Sequence, residues 1–159
     1  MCGICGVIDF GNSTPAREDL IPMSEALVHR GPDDQGDYLA RHVAMAHRRL
    51  AIIDLEKGHQ PLLDPSGQVA VVFNGEIYNC IELRKQLEEA GHIFRTRCDT
   101  EVLLAAYLQY GTQALAHLIG DFAFAIWDAR QDRLFAARDR LGLKPLFYRW
   151  NGKKFVFAS

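Results

Sequence analysis

The sequence predicts an α+β domain in which helices cover two stacked antiparallel sheets. Strand-like runs cluster towards both ends of the chain, helical patterns lie between them, and Gly, Pro and Asn turn signals separate the runs. The 159 residues are 48% apolar and 24% charged, which is typical of one globular domain. A chain of this length buries a sizeable core without disulfides or metal. We therefore treat residues 1–159 as a single domain.

The first half of the chain is predicted to hold short strands and one helix. Residues 4–10 have the composition of a buried strand, and apolar residues at helical spacing predict a helix over about 16–28. Gly31-Pro32 cannot continue that helix. Four further strands are predicted, over residues 36–39, 43–48, 51–54 and 69–73.

The second half is predicted to hold helices first and strands afterwards. Asn79 is placed to cap a helix over 80–90, and Gly91 is placed to end it. Two more helices are predicted over 100–110 and 113–118, and strands over 122–127, 134–138, 146–150 and 155–158. Asn151-Gly152 predicts a hairpin turn between the last two strands.

Charge and hydropathy exclude several classes of partner. The net charge is −2 with both signs interspersed, so no basic stripe points to nucleic acid. The apolar runs are too short to span a bilayer, and the N-terminus does not resemble a signal peptide. We expect neither nucleic acid nor membrane as a partner. The four cysteines are expected to be reduced, in the cytoplasm.

Cys2 is the first candidate for chemistry. If Met1 is removed, Cys2 carries a thiol and a free α-amine, and at their unperturbed pKa values of about 8.5 and 7.7–8.0 near-neutral water holds a useful fraction of both reactive forms. A nucleophile with its own base is a recognised catalytic device. Cys2-x-x-Cys5 could instead be half of a zinc site or a redox pair. No further CxxC or spaced Cys/His pair follows, and residues 4–10 look like a strand, so no metal is expected.

Asn74-Gly75 is the second candidate, because it follows a buried strand. Gly75 allows a backbone N–H to face a ligand, and the Asn74 amide could join it in holding an oxyanion. One such donor contributes about 2.7–4 kcal/mol in a transition state. Asn-Gly is also a common turn dipeptide, so the spacing alone leaves both interpretations open.

Six blocks of sequence, taken in order, resemble a known family. They are Met1-Cys2-Gly3-Ile4, Arg30-Gly31-Pro32-Asp33, His47 to Asp54, Asn74 to Asn79, Asp99-Thr100-Glu101-Val102 and Arg138 to Leu146. Together they are similar to the class II glutamine amidotransferase domain of asparagine synthetases. The resemblance covers essentially the whole chain, and it implies the four-layer αββα sandwich of N-terminal nucleophile hydrolases. The second and fourth blocks favour the asparagine synthetase branch over the phosphoribosylamine and glucosamine-phosphate branches.

The resemblance implies a reaction and a catalytic set. Cys2 would attack the side-chain amide of L-glutamine with its α-amine as base, giving glutamate and ammonia through a γ-glutamyl thioester. Asn74 and Gly75 would form the oxyanion hole. His29 and His47 could suggest a Cys–His dyad, but the α-amine already supplies a base, so structural roles are expected for both.

The resemblance also implies how free glutamine is recognised. Arg49 would bind the α-carboxylate, and Asp99, assisted by Glu76, would receive the α-ammonium group. For any single charge a surface salt bridge is the usual role, but the matched blocks favour binding. Three residues would line the same pocket with their main chain: Leu50, Ile52 and Ile53. Arg30 and Asp33 would shape the loop over the site.

The resemblance further implies partners beyond this chain. Ammonia would pass to a C-terminal synthetase domain that makes asparagine from aspartate and ATP. That domain is expected to be absent here, because no pyrophosphatase or Walker loop occurs and the chain ends as a strand finishes at Ser159. No cofactor is expected in this domain, and ATP and Mg are expected only in the synthetase domain. A homodimer is left open. Two rivals remain: the same glutaminase serving another acceptor, and a degenerate glutamine-binding module.

Overall fold

The first sheet is built around the run that follows Cys2. Gly3–Asp9 (β1) pairs antiparallel with Val43–Arg49 (β3) and with Lys154–Ala158 (β9). Asp34–Ala40 (β2) and Phe147–Trp150 (β8) are the edges, giving the order β2-β3-β1-β9-β8. The predicted hairpin joins β8 to β9. This computed structural model describes residues 1–11, 13–52 and 58–159.

The second sheet takes its strands from the middle of the chain. Leu62–Leu63 (β4), Val69–Ile77 (β5), Gly120–Asp128 (β6) and Arg133–Arg138 (β7) are antiparallel neighbours in that order. The short β4 pairs only with Ala70 and Val71. In the described part of the chain, therefore, no strand covers this edge of β5 beyond Val71.

Helices cover the outer faces of both sheets. Arg17–Ala26 (α1) packs Leu20 onto the outer face of the first sheet. Cys80–Glu89 (α2) and Asp99–Tyr110 (α3) cover the second sheet, and a 3₁₀ turn over Gly111–His117 follows α3. Within the described ranges, no helix is both long and apolar enough to cross a bilayer.

The main core lies between the two sheets. Ile4, Ile8 and Met45 of the first sheet meet Val72 and Trp127 of the second, and all five are at most 2% exposed. Since strand residues alternate between faces, the residues between them point outwards to the helices. The layers are therefore helix, sheet, sheet and helix, which confirms the α+β class and the αββα sandwich.

Four local predictions need correction. Ala51 and Ile52 lie in no strand, and the rest of the predicted strand 51–54 lies outside the described residues. The β4 strand was not predicted, since two residues carry no periodicity. Asn74 and Gly75 continue β5 beyond its predicted end at Phe73, because pairing with β6 extends past them.

Asn79 is the fourth correction. It precedes α2, but its side chain makes no capping hydrogen bond. Its amide donates to His117 O at 2.9 Å, and its amide oxygen accepts from Ile119 N at 2.9 Å. Asn79 therefore ties the start of α2 to the segment that enters β6, so a tertiary contact replaces the expected cap.

Candidate active site

The uncovered edge of β5 opens onto a cavity of about 150 Å³. All the described candidate residues line it; Ile53 lies outside the described residues. The lining residues are Met1, Cys2, Arg49, Leu50, Ile52, Gly58, Gln60, Phe73, Asn74, Gly75, Glu76, Cys98, Asp99, Thr100 and Lys144.

The Cys2 thiol lies against the main chain that follows β3. Leu50 N–H donates to Cys2 Sγ at 3.4 Å, and the thiol donates to Leu50 O at 3.7 Å. Arg30 Nε donates to Cys2 O at 3.1 Å, which fixes the backbone of the nucleophile candidate from the other side. The thiol is thus held half-buried at the wall of the cavity.

Cys5 is separated from this site by the geometry of β1. Cys5 lies inside β1, whereas Cys2 precedes it, and the Cys5 side chain packs under α1, where burial raises its pKa to about 12. Burial also raises the pKa of Cys80 to about 11. Among the described residues, no group of three or more His, Cys, Asp or Glu side chains is placed to hold a metal ion.

Backbone alternation in β5 places Gly75 N–H at the cavity. Alternate residues of a strand turn their N–H groups to the same edge. Phe73 N–H donates to Gln60 Oε1 at 2.7 Å and Ile77 N–H to Asp99 Oδ2 at 3.2 Å, both on the edge that β4 leaves uncovered. Gly75 lies between them and shares their direction, so its N–H faces the cavity.

The Asn74 amide supplies a second donor. Asn74 is 2% exposed, and its Nδ2 has no hydrogen-bond partner in the described part of the chain. A buried donor without a partner costs free energy that a bound acceptor recovers. Gly75 must be glycine for a different reason than the sequence suggested: a Cβ would lie 2.3 Å from Asp121 O of β6. Two donors on adjacent residues suit a negatively charged oxygen.

Two buried charges of opposite sign complete the cavity. Arg49 ends β3 and Asp99 begins α3; they are 6% and 8% exposed. Burial raises the pKa of Asp99, and the nearby charge of Glu76 adds to this, against hydrogen bonds from the Ile77 and Thr100 amides. A ligand cation would favour the ionised Asp99, so the pair suits a zwitterion.

The loop before β2 shapes the site, as expected for Arg30 and Asp33. Asp33 Oδ2 accepts from Ala51 N at 2.8 Å, which holds the chain beyond Leu50. A Cβ at Gly31 would lie 2.3 Å from Arg48 O, so this loop fits against β3 only through a glycine. The loop and the nucleophile candidate therefore share one rigid support.

The His47 side chain is buried and bonded to the second sheet, as a structural role would require. Its Nε2 lies 3.1 Å from Phe73 O, and because a carbonyl can only accept, Nε2 carries the proton. Burial lowers the pKa of His47 to about 4, so the ring is neutral near pH 7. Through this hydrogen bond, His47 joins the first sheet to β5 beside Asn74.

Sequence reasoning missed Gln60, Thr100 and Lys144 as lining residues. Lys144 belongs to one of the recognised blocks, and its Nζ lies 3.8 Å from Met1 Sδ at the mouth of the cavity. Gln60 has no local signal, since its partners are 13 and 40 residues away along the chain. Only the folded chain shows that it belongs to the site.

Comparisons with known proteins find relatives over the whole length of this chain. A family model described as glutamine amidotransferase domain matches residues 1–159. Asparagine synthetase (glutamine-hydrolyzing) 3 of Bacillus subtilis is 43% identical over 162 residues, which cover 100% of this chain and 26% of that protein. Asparagine synthetase (glutamine-hydrolyzing) 1 of the same bacterium is 46% identical, again over 100% of this chain and 26% of the relative. The chain thus spans about a quarter of these relatives.

A solved structure shares the architecture. Glutamine phosphoribosylpyrophosphate amidotransferase from B. subtilis, complexed with ADP and GMP, superimposes with a TM-score of 0.81 at 25% identity. The superposition covers 99% of this chain and 41% of that one. The fold is that of N-terminal nucleophile amidotransferases, as the sequence resemblance implied.

Proposed function

This chain belongs to the glutamine amidotransferase domain family, and on that premise we propose that it hydrolyses the side-chain amide of L-glutamine to glutamate and ammonia. One observation carries the proposal: a single cavity holds the Cys2 thiol, the Asn74 amide and two buried charges, Arg49 and Asp99. A nucleophile, an oxyanion donor and a zwitterion clamp are the parts that amide hydrolysis of a free amino acid requires.

The reaction has two steps, acylation of Cys2 with release of ammonia and hydrolysis of the resulting thioester. The α-amine of Cys2 takes the thiol proton as Sγ attacks the amide carbon, and Asn74 Nδ2–H and Gly75 N–H hold the resulting oxyanion. Collapse breaks the carbon–nitrogen bond, and the α-ammonium returns its proton to the departing nitrogen, which leaves as ammonia. Water then attacks the γ-glutamyl thioester with the same amine as base, releasing glutamate and the thiol.

Recognition of glutamine uses its two charged ends. Arg49 pairs with the α-carboxylate, for which a planar and permanently charged fork of donors is well suited. Asp99, assisted by Glu76, receives the α-ammonium group, and its raised pKa is consistent with a carboxylate that gains a cation on binding. Main-chain groups of Leu50 and Ile52 line the same space, and Ile53 stays a prediction from the resemblance.

Removal of Met1 is a condition of this mechanism. With Met1 in place, the nitrogen of Cys2 is a peptide nitrogen and cannot act as a base. Met1 also lines the cavity, with its sulfur against Lys144. Processing would therefore release the base and vacate part of the substrate space.

The ammonia acceptor is proposed from the relatives. Two relatives named as glutamine-hydrolyzing asparagine synthetases are 43% and 46% identical to this chain, against 25% for the phosphoribosylpyrophosphate amidotransferase. We therefore assign the ammonia to a fused ATP-dependent synthetase domain that converts aspartate to asparagine. A free thiol at Cys2 requires reducing conditions, which favours the cytoplasm.

The test is a glutaminase assay on Met1-processed protein. We expect Cys2→Ala to abolish glutamate release, whereas Cys5→Ala, which removes a thiol packed under α1 and outside the cavity lining, retains it. The rate should rise with pH as the α-amine loses its proton. Unchanged glutamate release by Cys2→Ala would overturn the nucleophile assignment, and a flat profile from about pH 6 to 9 would overturn the amine as base.

A further inference from the structure

Gln60 makes two buried hydrogen bonds that link the two sides of the cavity. Its Oε1 accepts from Phe73 N–H at 2.7 Å, and its Nε2 donates to Thr100 Oγ1 at 3.2 Å. Gln60 is 6% exposed, and its two partners are 3% exposed. Phe73 precedes Asn74, and Thr100 follows Asp99. One side chain thus joins the oxyanion donors to the carboxylate that is proposed to bind the ammonium.

From this geometry we infer that Gln60 is a positioning residue for glutamine hydrolysis. It sets the distance between the β5 edge at Asn74 and Gly75 and the start of α3 at Asp99. The inference rests on the proposed glutaminase function and adds a residue whose two side-chain polar atoms are bonded to Phe73 and Thr100. It acts through the backbone of Phe73 and the hydroxyl of Thr100.

The need for such a link follows from the sheet topology. β4 ends its pairing with β5 at Val71, so Phe73, Gly75 and Ile77 present N–H groups to an edge that no strand of the described residues covers. Gln60 satisfies the first of these groups and Asp99 the third, which leaves the middle one facing the cavity. The Gln60 side chain therefore replaces part of the missing strand.

The contact of Gln60 with Phe73 N–H and the contact of Asp99 with Ile77 N–H respond differently to substrate binding. Asp99 accepts a hydrogen bond from Ile77 N–H and would also bind the ligand ammonium group, so its contact with β5 changes when glutamine binds. Gln60 has no such second duty, and its backbone is fixed against β2, where a Cβ at Gly36 would lie 2.2 Å from Gln60 O. Gln60 is thus the constant link during the reaction.

The experiment compares Gln60→Met with Gln60→Glu in Met1-processed protein. Methionine keeps the length but removes both polar contacts, whereas a Glu oxygen can accept from Phe73 N–H and from the Thr100 hydroxyl. We expect Gln60→Met to lower kcat about 10- to 100-fold, since small misplacements of an oxyanion donor have effects of this size. Here kcat is calculated per active site, and the active sites are counted by titrating Cys2 with a thiol reagent. KM for glutamine should rise as well, and Gln60→Glu should retain more of both.

KM separates positioning from a loss of folded protein. Fewer folded molecules lower the apparent rate but leave KM unchanged. The matched control is Gln109→Met, the same substitution at an exposed residue of α3 whose side-chain oxygen lies 2.9 Å from His92 Nε2, away from the cavity lining; it should behave as wild type. A Gln60→Met variant with kcat and KM within about twofold of wild type would overturn the inference, and so would equal losses in Gln60→Met and Gln60→Glu.

A second pair of variants applies if Gln60→Met does not fold. Thr100→Val removes the acceptor of Gln60 Nε2 at nearly constant volume, and Thr100→Ser keeps it. We expect KM for glutamine to rise above the wild-type value in Thr100→Val but not in Thr100→Ser. Equal KM values in the two variants would overturn the inference. Wild-type protein without glutamate release would instead refute the proposed function itself.

Discussion

Asp99→Asn should weaken glutamine binding and stabilise the empty domain at the same time. Asp99 is a buried carboxylate whose pKa is raised by burial, against hydrogen bonds from the Ile77 and Thr100 amides, with a smaller contribution from the charge of Glu76. Asparagine has the same shape and keeps one acceptor oxygen, which can accept from Ile77 N–H or from Thr100 N–H. The substitution therefore removes the charge with little change in packing.

The binding loss can be worked from the contact that disappears. A hydrogen bond between charged partners contributes about 1.5–3 kcal/mol, which corresponds to a Kd for glutamine raised about 10- to 150-fold. The effect falls mainly on ground-state binding, because the ammonium group lies away from the reacting amide. KM should follow Kd, and kcat should change less.

The stability effect has the opposite sign. A carboxyl whose pKa in the folded state lies above its value of 3.8 in the unfolded chain binds more protons when folded. Stability therefore falls as pH rises through the interval between those two pKa values, and the loss persists at neutral pH. Asp99→Asn lacks this loss, so its thermal midpoint near neutral pH should exceed that of wild type.

Calorimetry in a Cys2→Ala background measures Kd without turnover, and thermal unfolding at about pH 4 and 7 measures stability. Asp132→Asn is the matched control: Asp132 is exposed, lies in the β6–β7 turn and has φ 49°, which Asn tolerates. The control should leave Kd unchanged. Unaltered glutamine affinity in Asp99→Asn would refute the assignment of Asp99, and a lower midpoint at neutral pH would refute the argument from burial.

Three further predictions concern the surroundings of the site. Limited alkylation at about pH 7.5 should modify Cys2 before Cys5 and Cys80, whose pKa values burial raises to about 12 and about 11; equal labelling by peptide mass analysis would contradict this. The imidazole of His47 should stay neutral from about pH 5 to 8 in NMR titration because burial lowers its pKa to about 4, and a midpoint near its ordinary value would count against the buried contact with β5. Gly31→Ala should destabilise the fold by about 1–3 kcal/mol in denaturant unfolding, since its Cβ would meet the backbone of β3; an unchanged midpoint would show that the loop can shift.

Sequence patterns predicted what depends on local periodicity and on recognised blocks. The strand after Cys2 and the helices α1, α2 and α3 follow from alternation and helical spacing, and the structure confirms them. Cys2, Arg49 and Asp99 come together because the ends of separate elements meet at one edge of the sandwich. The resemblance of the sequence blocks to a known family indicated that these residues lie together, whereas their spacing along the chain could not.

What sequence patterns missed depends on contacts between distant segments. Asn74 and Gly75 remain in β5 because β6 pairs with them, and β6 lies more than forty residues later in the chain. The Asn79 side chain donates to His117 O instead of capping α2, and local propensity cannot predict this tertiary contact. Gln60 belongs to the site only because β4 is too short to cover the edge that its side chain fills.

The most direct test of the central claim is mass analysis of protein quenched during glutamine turnover. Met1-processed protein should carry a γ-glutamyl group on the peptide that begins with Cys2, and protein that retains Met1 should carry none, because its Cys2 nitrogen cannot act as a base. A γ-glutamyl group on another residue, or equal acylation of Cys2 with Met1 attached, would contradict an N-terminal cysteine as the nucleophile.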